Sequence, residues 1–161
     1  MKSVPLIRKA TAADAQSIFD IRIAAINSQC TGYYAADDLA RWTAGAMSPQ
    51  FVQMMTDEAY VAMVGERVAG SGMVDLDSGQ IDAVFVLPEL MGQGLGRAMM
   101  LHLEHLAIRA GLAQLKLDST LNAAPFYRSL GFTGDAVASY CSSGGLSLAC
   151  IPMIKRLPAS Q

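Results

Sequence analysis

Hydrophobic positions change their period along this chain, and the changes mark its elements. Val4 to Arg8 reads as a short opening strand, and Thr11 with Asp14 three residues on forms a capping-box pattern. Behind it Ile18, Ile21, Ile23 and Ile26 recur near helical spacing, so a first helix is predicted from Ala12 to Asn27. Cys30-Thr31-Gly32-Tyr33-Tyr34 reads as a loop. Asp37 or Asp38 can cap a second helix with Leu39 and Trp42 on one face, and Ser48-Pro49 breaks or restarts it. Between Ala59 and Leu87 the period becomes strand-like: Tyr60 to Val64, Val68 to Leu76 and Ile81 to Leu87 are β-branched or aromatic runs. Gly65 and Gly79 at the junctions suit hairpin turns, which makes these runs an antiparallel meander.

The strongest helical stripe follows, with Leu95, Met99, Leu103 and Leu106 on one face between Leu95 and Ala110, and Gly111 where a C-cap glycine belongs. Leu112 to Leu117 reads as a strand. Asn122 to Leu130 reads as a short helix that tolerates Pro125 only in its first turn. Strands around Val137 to Cys141 and Leu146 to Lys155 complete the order β-α-α-β-β-β-α-β-α-β-β, an α/β (α+β) mixed-sheet fold. With no repeat and no linker-like stretch, residues 1–161 are expected to form one domain.

Composition narrows the function classes. At 52% apolar residues the chain can bury a sizeable core, and disorder is disfavoured. Twelve Lys plus Arg against fourteen Asp plus Glu give a net charge of -2, so there is no basic field for nucleic acid. No apolar run approaches the roughly 18 residues of a membrane span, and the N-terminus has no signal-peptide core. Cys30, Cys141 and Cys150 are an odd number at wide spacing, which fits neither a disulfide framework nor a zinc site and favours the reducing cytoplasm. His102 and His105 lie three apart on the long helix without a third ligand, so no metal is expected. Ten methionines read as core filler.

The chemistry concentrates at Met91-Gly92-Gln93-Gly94-Leu95-Gly96-Arg97, between a buried strand and the strongest helix. Alternating glycines remove side chains where a ligand would meet backbone, and the helix N-terminus adds unpaired N–H groups and the positive end of its dipole. A pyrophosphate suits such a place; a plain tight turn is the other reading. The dinucleotide pattern G-x-G-x-x-G fails at Arg97 in one register and at Met99 in the other, and the Lys-Ser/Thr of a P-loop is missing.

Two flanking segments add context: Val84-Phe85-Val86-Leu87-Pro88-Glu89 upstream, and downstream Asn122 with Phe126-Tyr127, Leu130, Gly131 and Phe132. Together with the glycine loop they resemble the GNAT superfamily of acyl-CoA-dependent N-acetyltransferases, well over residues 59 to 156 and more loosely before. The family's motif opens with Arg or Gln and ends on two small residues; the latter map to Gly94 and Gly96, whereas Met91 stands at the first position and leaves only its backbone N–H.

The resemblance implies a central, mostly antiparallel sheet splayed between its fourth and fifth strands, with acceptor-side helices at about 12–55, an acetyl-CoA-binding core at about 59–132 and C-terminal strands at about 133–157. It implies acetyl transfer from acetyl-CoA to a primary amine, of a small molecule or an exposed protein amine, by direct attack in a ternary complex. Backbone groups of Phe85 and Val86 would pair with pantetheine, while Met91, Gly92, Gln93, Gly94, Gly96 and Arg97 would surround the pyrophosphate. Tyr127 would serve as general acid near the sulfur, and Asn122 as a pantetheine ligand or a helix cap. Asp82 stands near the family's carboxylate; Asp75, Asp118 or a water chain are other candidates for the base. Tyr33, Tyr34 and Trp42 would line an aromatic acceptor pocket, although packing explains Trp42 equally well. Cys30 has no His nearby in sequence to activate it. A homodimer through the last strands is expected by resemblance, and no nucleic-acid or membrane partner. A non-catalytic acyl-CoA sensor or interaction module is the alternative, kept open by Met91 and the missing obvious base.

Overall fold

A computed structural model describes residues 5–142 and 144–159; Val4, the expected start of the opening strand, and the preceding N-terminal residues lie outside them. Among the described residues the strands and α-helices are β1 (Leu6–Lys9), α1 (Ala15–Gln29), α2 (Ala36–Trp42), α3 (Pro49–Glu58), β2 (Ala59–Val64), β3 (Arg67–Val74), β4 (Ile81–Val86), α4 (Leu95–Arg109), β5 (Gln114–Ser119), α5 (Ala124–Ser129), β6 (Ala138–Cys141) and β7 (Ser147–Arg156), with short 3-10 turns at Ala12–Asp14, just before α1, and at Pro88–Leu90. Ser48-Pro49 restarts the helix: Ser48 caps α3 by accepting the Phe51 N–H at 3.1 Å, and Pro49 takes the first turn, where its missing N–H costs nothing. Asp37 and Asp38 fall inside the first turn of α2 instead of capping it, where their charge still suits the helix dipole.

The strands form two antiparallel sheets, β1-β2-β3-β4 and β5-β7-β6. Among the described residues they meet at one parallel bridge, Gln80 with Lys116, supported by the Lys116 N–H on the Gly79 carbonyl at 3.0 Å. Beyond that bridge β4 and β5 part, which is the splay that the resemblance implies. Helix α4 covers one face: Leu95, Met99, Leu103 and Ala107 are buried against Leu115, Leu117 and Met153. It lies close on β3 because Gly72 has no side chain; a Cβ there would stand 2.6 Å from Met99 Cγ. On the other face Ile18 of α1 and Met55 of α3 pack with Val61 and Met73. Among the described residues no helix is long and apolar enough to cross a membrane.

One polar anchor fixes α1 to this frame. Asp14, whose side chain is 9% exposed, accepts from Arg8 Nη1 and Nη2 at 2.8 and 3.0 Å and from the Thr11 N–H at 2.8 Å. The Arg8 hydrogen bonds hold its carboxyl down at about 2. A folded pKa below the unfolded one contributes stability above the unfolded value, and the contribution is lost as pH falls through the folded one. Asp14→Asn is therefore expected to cost about 1–2 kcal/mol at neutral pH, a figure reduced for the partly exposed Arg8. In urea titrations the gap between wild type and variant should close as the pH approaches the folded value. A gap independent of pH would show that the carboxylate charge is not what anchors the helix.

Candidate active site

The opening between the sheets begins with an irregularity in β4. Ser71 pairs with Phe85 and Met73 with Asp82, so β4 carries an extra residue opposite β3, and Ala83 at φ 56° lies in the left-handed region that strains a non-glycine residue. Its carbonyl accepts from Ser71 Oγ at 2.7 Å, and Ser71 is fully buried. Gly70 lets the strands approach, since a Cβ there would stand 2.9 Å from the Phe85 carbonyl. The Leu87 N–H donates to the Ala69 carbonyl at 2.9 Å. Alternation then turns the backbone groups of Phe85 toward β3 and those of Val84 and Val86 toward the gap.

At one end of the gap lies the glycine loop. Gly92 and Gly94 have φ of 80° and 86°, and added Cβ atoms there would meet nothing within 4 Å. The backbone N–H groups of Gly92, Gln93, Gly94, Leu95, Gly96 and Arg97 have no hydrogen-bond acceptor among the described residues. This run of donors lies at the positive end of a 15-residue helix, a ready place for a diphosphate. Gly96 differs from the other two: a Cβ would stand 3.1 Å from the Phe126 ring, so its smallness also serves the packing of α4 on α5.

A cavity of about 450 Å³ runs from this loop along the splay. Its wall brings together Asp82, Phe85, Val86, Met91, Gly92, Gly94, Gly96, Arg97, Asn122 and Tyr127, with Tyr34 and Trp42, which cluster with Phe85, also in the lining. Gln93 does not line it, and only its N–H shares in the loop's donor run. Tyr33 does not line it either, being 57% exposed: the turn closed by the Tyr33 and Tyr34 N–H groups on the Cys30 carbonyl sends neighbouring side chains in opposite directions. Tyr34 faces inward, but its hydroxyl is committed, donating to the Ala149 carbonyl at 2.6 Å and accepting from the Leu121 N–H at 3.0 Å. It ties the loop after α1 to β7 and to the loop before α5, and offers the cavity only its ring.

Tyr127 is held by edge-to-face contacts with Phe126 and Phe132, at 5.2 and 5.9 Å between centroids. Its hydroxyl makes no hydrogen bond among the described residues; burial, and then the charge of Asp82, push it up to about 12. Asn122 is not the cap of α5, which starts two residues later after Ala123. Its Oδ1 is buried without a partner among the described residues, an acceptor left for something else in the cavity. Asp82 is exposed to solvent while also lining the cavity; the partial burial of its carboxylate there, then Asp118, raise its pKa above the ordinary carboxylate value. Asp75 belongs to the β3–β4 turn, where its carboxylate accepts the Asp77 N–H at 2.9 Å.

Sequence reasoning underrated Asp118 and missed Tyr140, Cys150 and Ile26, which complete the wall from β5, β6, β7 and α1. Burial pushes the Cys30 thiol up to about 11, which leaves it a packing group at neutral pH. His102 stacks edge-on against Tyr60, with centroids 4.5 Å apart. Among the described residues no group of three or more His, Cys, Asp or Glu could hold a metal.

The sequence profile described as an acetyltransferase (GNAT) domain matches residues 30–157. No curated protein matches the chain. Among solved structures, a GCN5-related N-acetyltransferase from Rhodopseudomonas palustris superposes with a TM-score of 0.88 at 23% identity over 98% of both chains. The PaiA N-acetyltransferase of Thermoplasma acidophilum, in complex with coenzyme A, gives 0.71 at 15% identity, over 96% of this chain and 99% of that one. YncA of Salmonella typhimurium, with its cofactor acetyl-CoA, gives 0.69 at 22% identity, over 99% and 97%.

Proposed function

The chain belongs to the acetyltransferase (GNAT) family, and from that premise we propose that it transfers acetyl from acetyl-CoA to a primary amine by direct attack in a ternary complex. The observation that carries this reading is the run of six N–H groups without a partner among the described residues, at a loop whose Gly92, Gly94, Leu95, Gly96 and Arg97 line the same cavity as the Tyr127 hydroxyl, itself without a partner among those residues. A diphosphate fits the first and a departing thiolate the second. Two structural relatives were solved with coenzyme A or acetyl-CoA, which supports the same cosubstrate here.

In the reaction the amine nitrogen forms a bond to the thioester carbonyl carbon, the C–S bond breaks, the amine loses a proton and the thiolate gains one. The loop N–H groups and Arg97 hold the diphosphate. Backbone groups of Val84 and Val86, which face the gap, pair with the pantetheine arm, and Phe85 contributes its side chain to the wall. Asn122 Oδ1 accepts a hydrogen bond from an N–H of the arm. Tyr127 protonates the leaving sulfur, a role suited to a phenol kept neutral by burial. Asp82 takes the amine proton, and its raised pKa improves it as a base.

Release of free CoA thiol across a panel of amines tests the reading: release should depend on the amine, and acetyl-CoA binding without release for any amine would contradict it. The role of Asp82 gives a separate expectation. A base must be ionised, so the rate should fall as pH drops through a pKa above the usual carboxylate range. Asp82→Asn is expected to lower kcat about tenfold to 10²-fold and to remove that acid limb from the kcat profile. A variant that keeps the limb would move the base elsewhere.

A further inference from the structure

We infer that the acceptor end of the cavity selects a cationic amine without a carboxylate, an alkylamine or aralkylamine rather than a free amino acid. The inference deepens the acetyltransferase reading and rests on it. Its basis is how charge is distributed along the wall. Among the described lining residues only Asp82, Arg97 and Asp118 carry charge. Arg97 lies at the glycine loop, on the first turn of α4, and is accounted for by the diphosphate end.

The two carboxylates share the other end. The Gln80–Lys116 bridge aligns β4 and β5 in parallel, and Asp82 and Asp118 each stand two residues beyond it. Alternation puts Asp118 on the face opposite Leu115 and Leu117, which are buried beneath α4. Asp82, Asp118 and Tyr140 all line the cavity, and after burial the two carboxylates help to raise the Tyr140 phenol's pKa. The same cavity is lined by apolar surfaces from Ile26, Cys30 and Trp42, which cluster with Phe85, and by the Tyr34 ring, whose hydroxyl is already used. Arg22, which also acts on Tyr140, is no part of the lining: its guanidinium donates to the Trp42 carbonyl at 3.0 Å. Two polar groups of the same cavity, the buried Asn122 Oδ1 and the Tyr127 hydroxyl, have no hydrogen-bond partner among the described residues, which suits a cavity built for a ligand.

An ammonium therefore meets two carboxylates and an aromatic wall, each of which attracts it. An α-carboxylate on the same molecule would meet like charge without a cation in the wall to receive it. Specificity at this end is set by repulsion as much as by attraction.

The test uses the full chain at saturating acetyl-CoA, with thiol release measured for matched pairs: phenethylamine against phenylalanine, and tryptamine against tryptophan. In each pair kcat/KM for the amine should exceed that for the amino acid about tenfold or more. Asp118→Asn, an isosteric change on an exposed side chain, should narrow that ratio about threefold or more while the acetyl-CoA dissociation constant stays put. Equal or better use of the amino acids would overturn the inference, and so would a ratio that Asp118→Asn leaves unmoved. Use of a peptide N-terminal amine in preference to all four compounds would also overturn it, while leaving the transferase reading intact. Failure of that reading itself looks different: no acceptor of any kind supports thiol release.

Discussion

Tyr127→Phe is expected to lower kcat on the order of 10²-fold or more and to leave acetyl-CoA affinity nearly unchanged. The variant removes one oxygen that has no hydrogen-bond partner among the described residues, so it leaves no protein group orphaned. The ring stays wedged between Phe126 and Phe132, so the fold has no reason to change. What is lost is a proton donor. At a pKa of about 12 the phenol is fully protonated at neutral pH, the form an acid requires, and it lines the cavity into which the thiolate would leave. Single-turnover kinetics beside calorimetry separate the two quantities. An unchanged kcat removes the role, and a large loss of thermal stability would mean that the hydroxyl serves the core.

The second large effect concerns the loop. Gly94→Glu is expected to weaken acetyl-CoA binding about 10²-fold or more, equivalent to at least about 2.7 kcal/mol. Nothing lies within 4 Å of the added Cβ, so the fold accepts the side chain, at a backbone cost of about 1–2 kcal/mol for φ +86°. The new carboxylate then competes for the free N–H groups and repels the diphosphate. Gly111→Glu is the matched control, since Gly111 is also left-handed and open but follows the C-terminal end of α4, the end of the helix opposite the loop. It should show a similar stability loss with unaltered affinity. Gly96 is a poorer choice because its substitution also displaces Phe126. Equal affinity in Gly94→Glu and wild type would detach the loop from the diphosphate.

Most of the scaffold is legible from local pattern. The stripe Leu95, Met99, Leu103 marks α4, and the alternating glycines mark the donor-rich loop, because each signal is contained within one turn or one helix face. The cavity wall is less legible because contacts across many residues decide it. Tyr33 and Tyr34 are chemically similar neighbours, and only the turn on the Cys30 carbonyl sends one out and one in. The Tyr34 hydroxyl finds partners 87 and 115 residues away, which no window of sequence contains. Asp118 gains its place from the bridge between the two sheets. Ser71 carried a faint signal: a hydroxyl between two glycines in a buried strand marks a spot where backbone comes close and a polar group waits to be satisfied.

Calorimetric titration of the purified protein with acetyl-CoA, beside NAD and ATP, tests the central claim most directly. Saturable one-site binding of acetyl-CoA, markedly tighter than that of either control and weakened by Gly94→Glu, is the expected result. Absence of saturable acetyl-CoA binding, or equal binding of ATP, would contradict it and leave the glycine loop as a turn between β4 and α4.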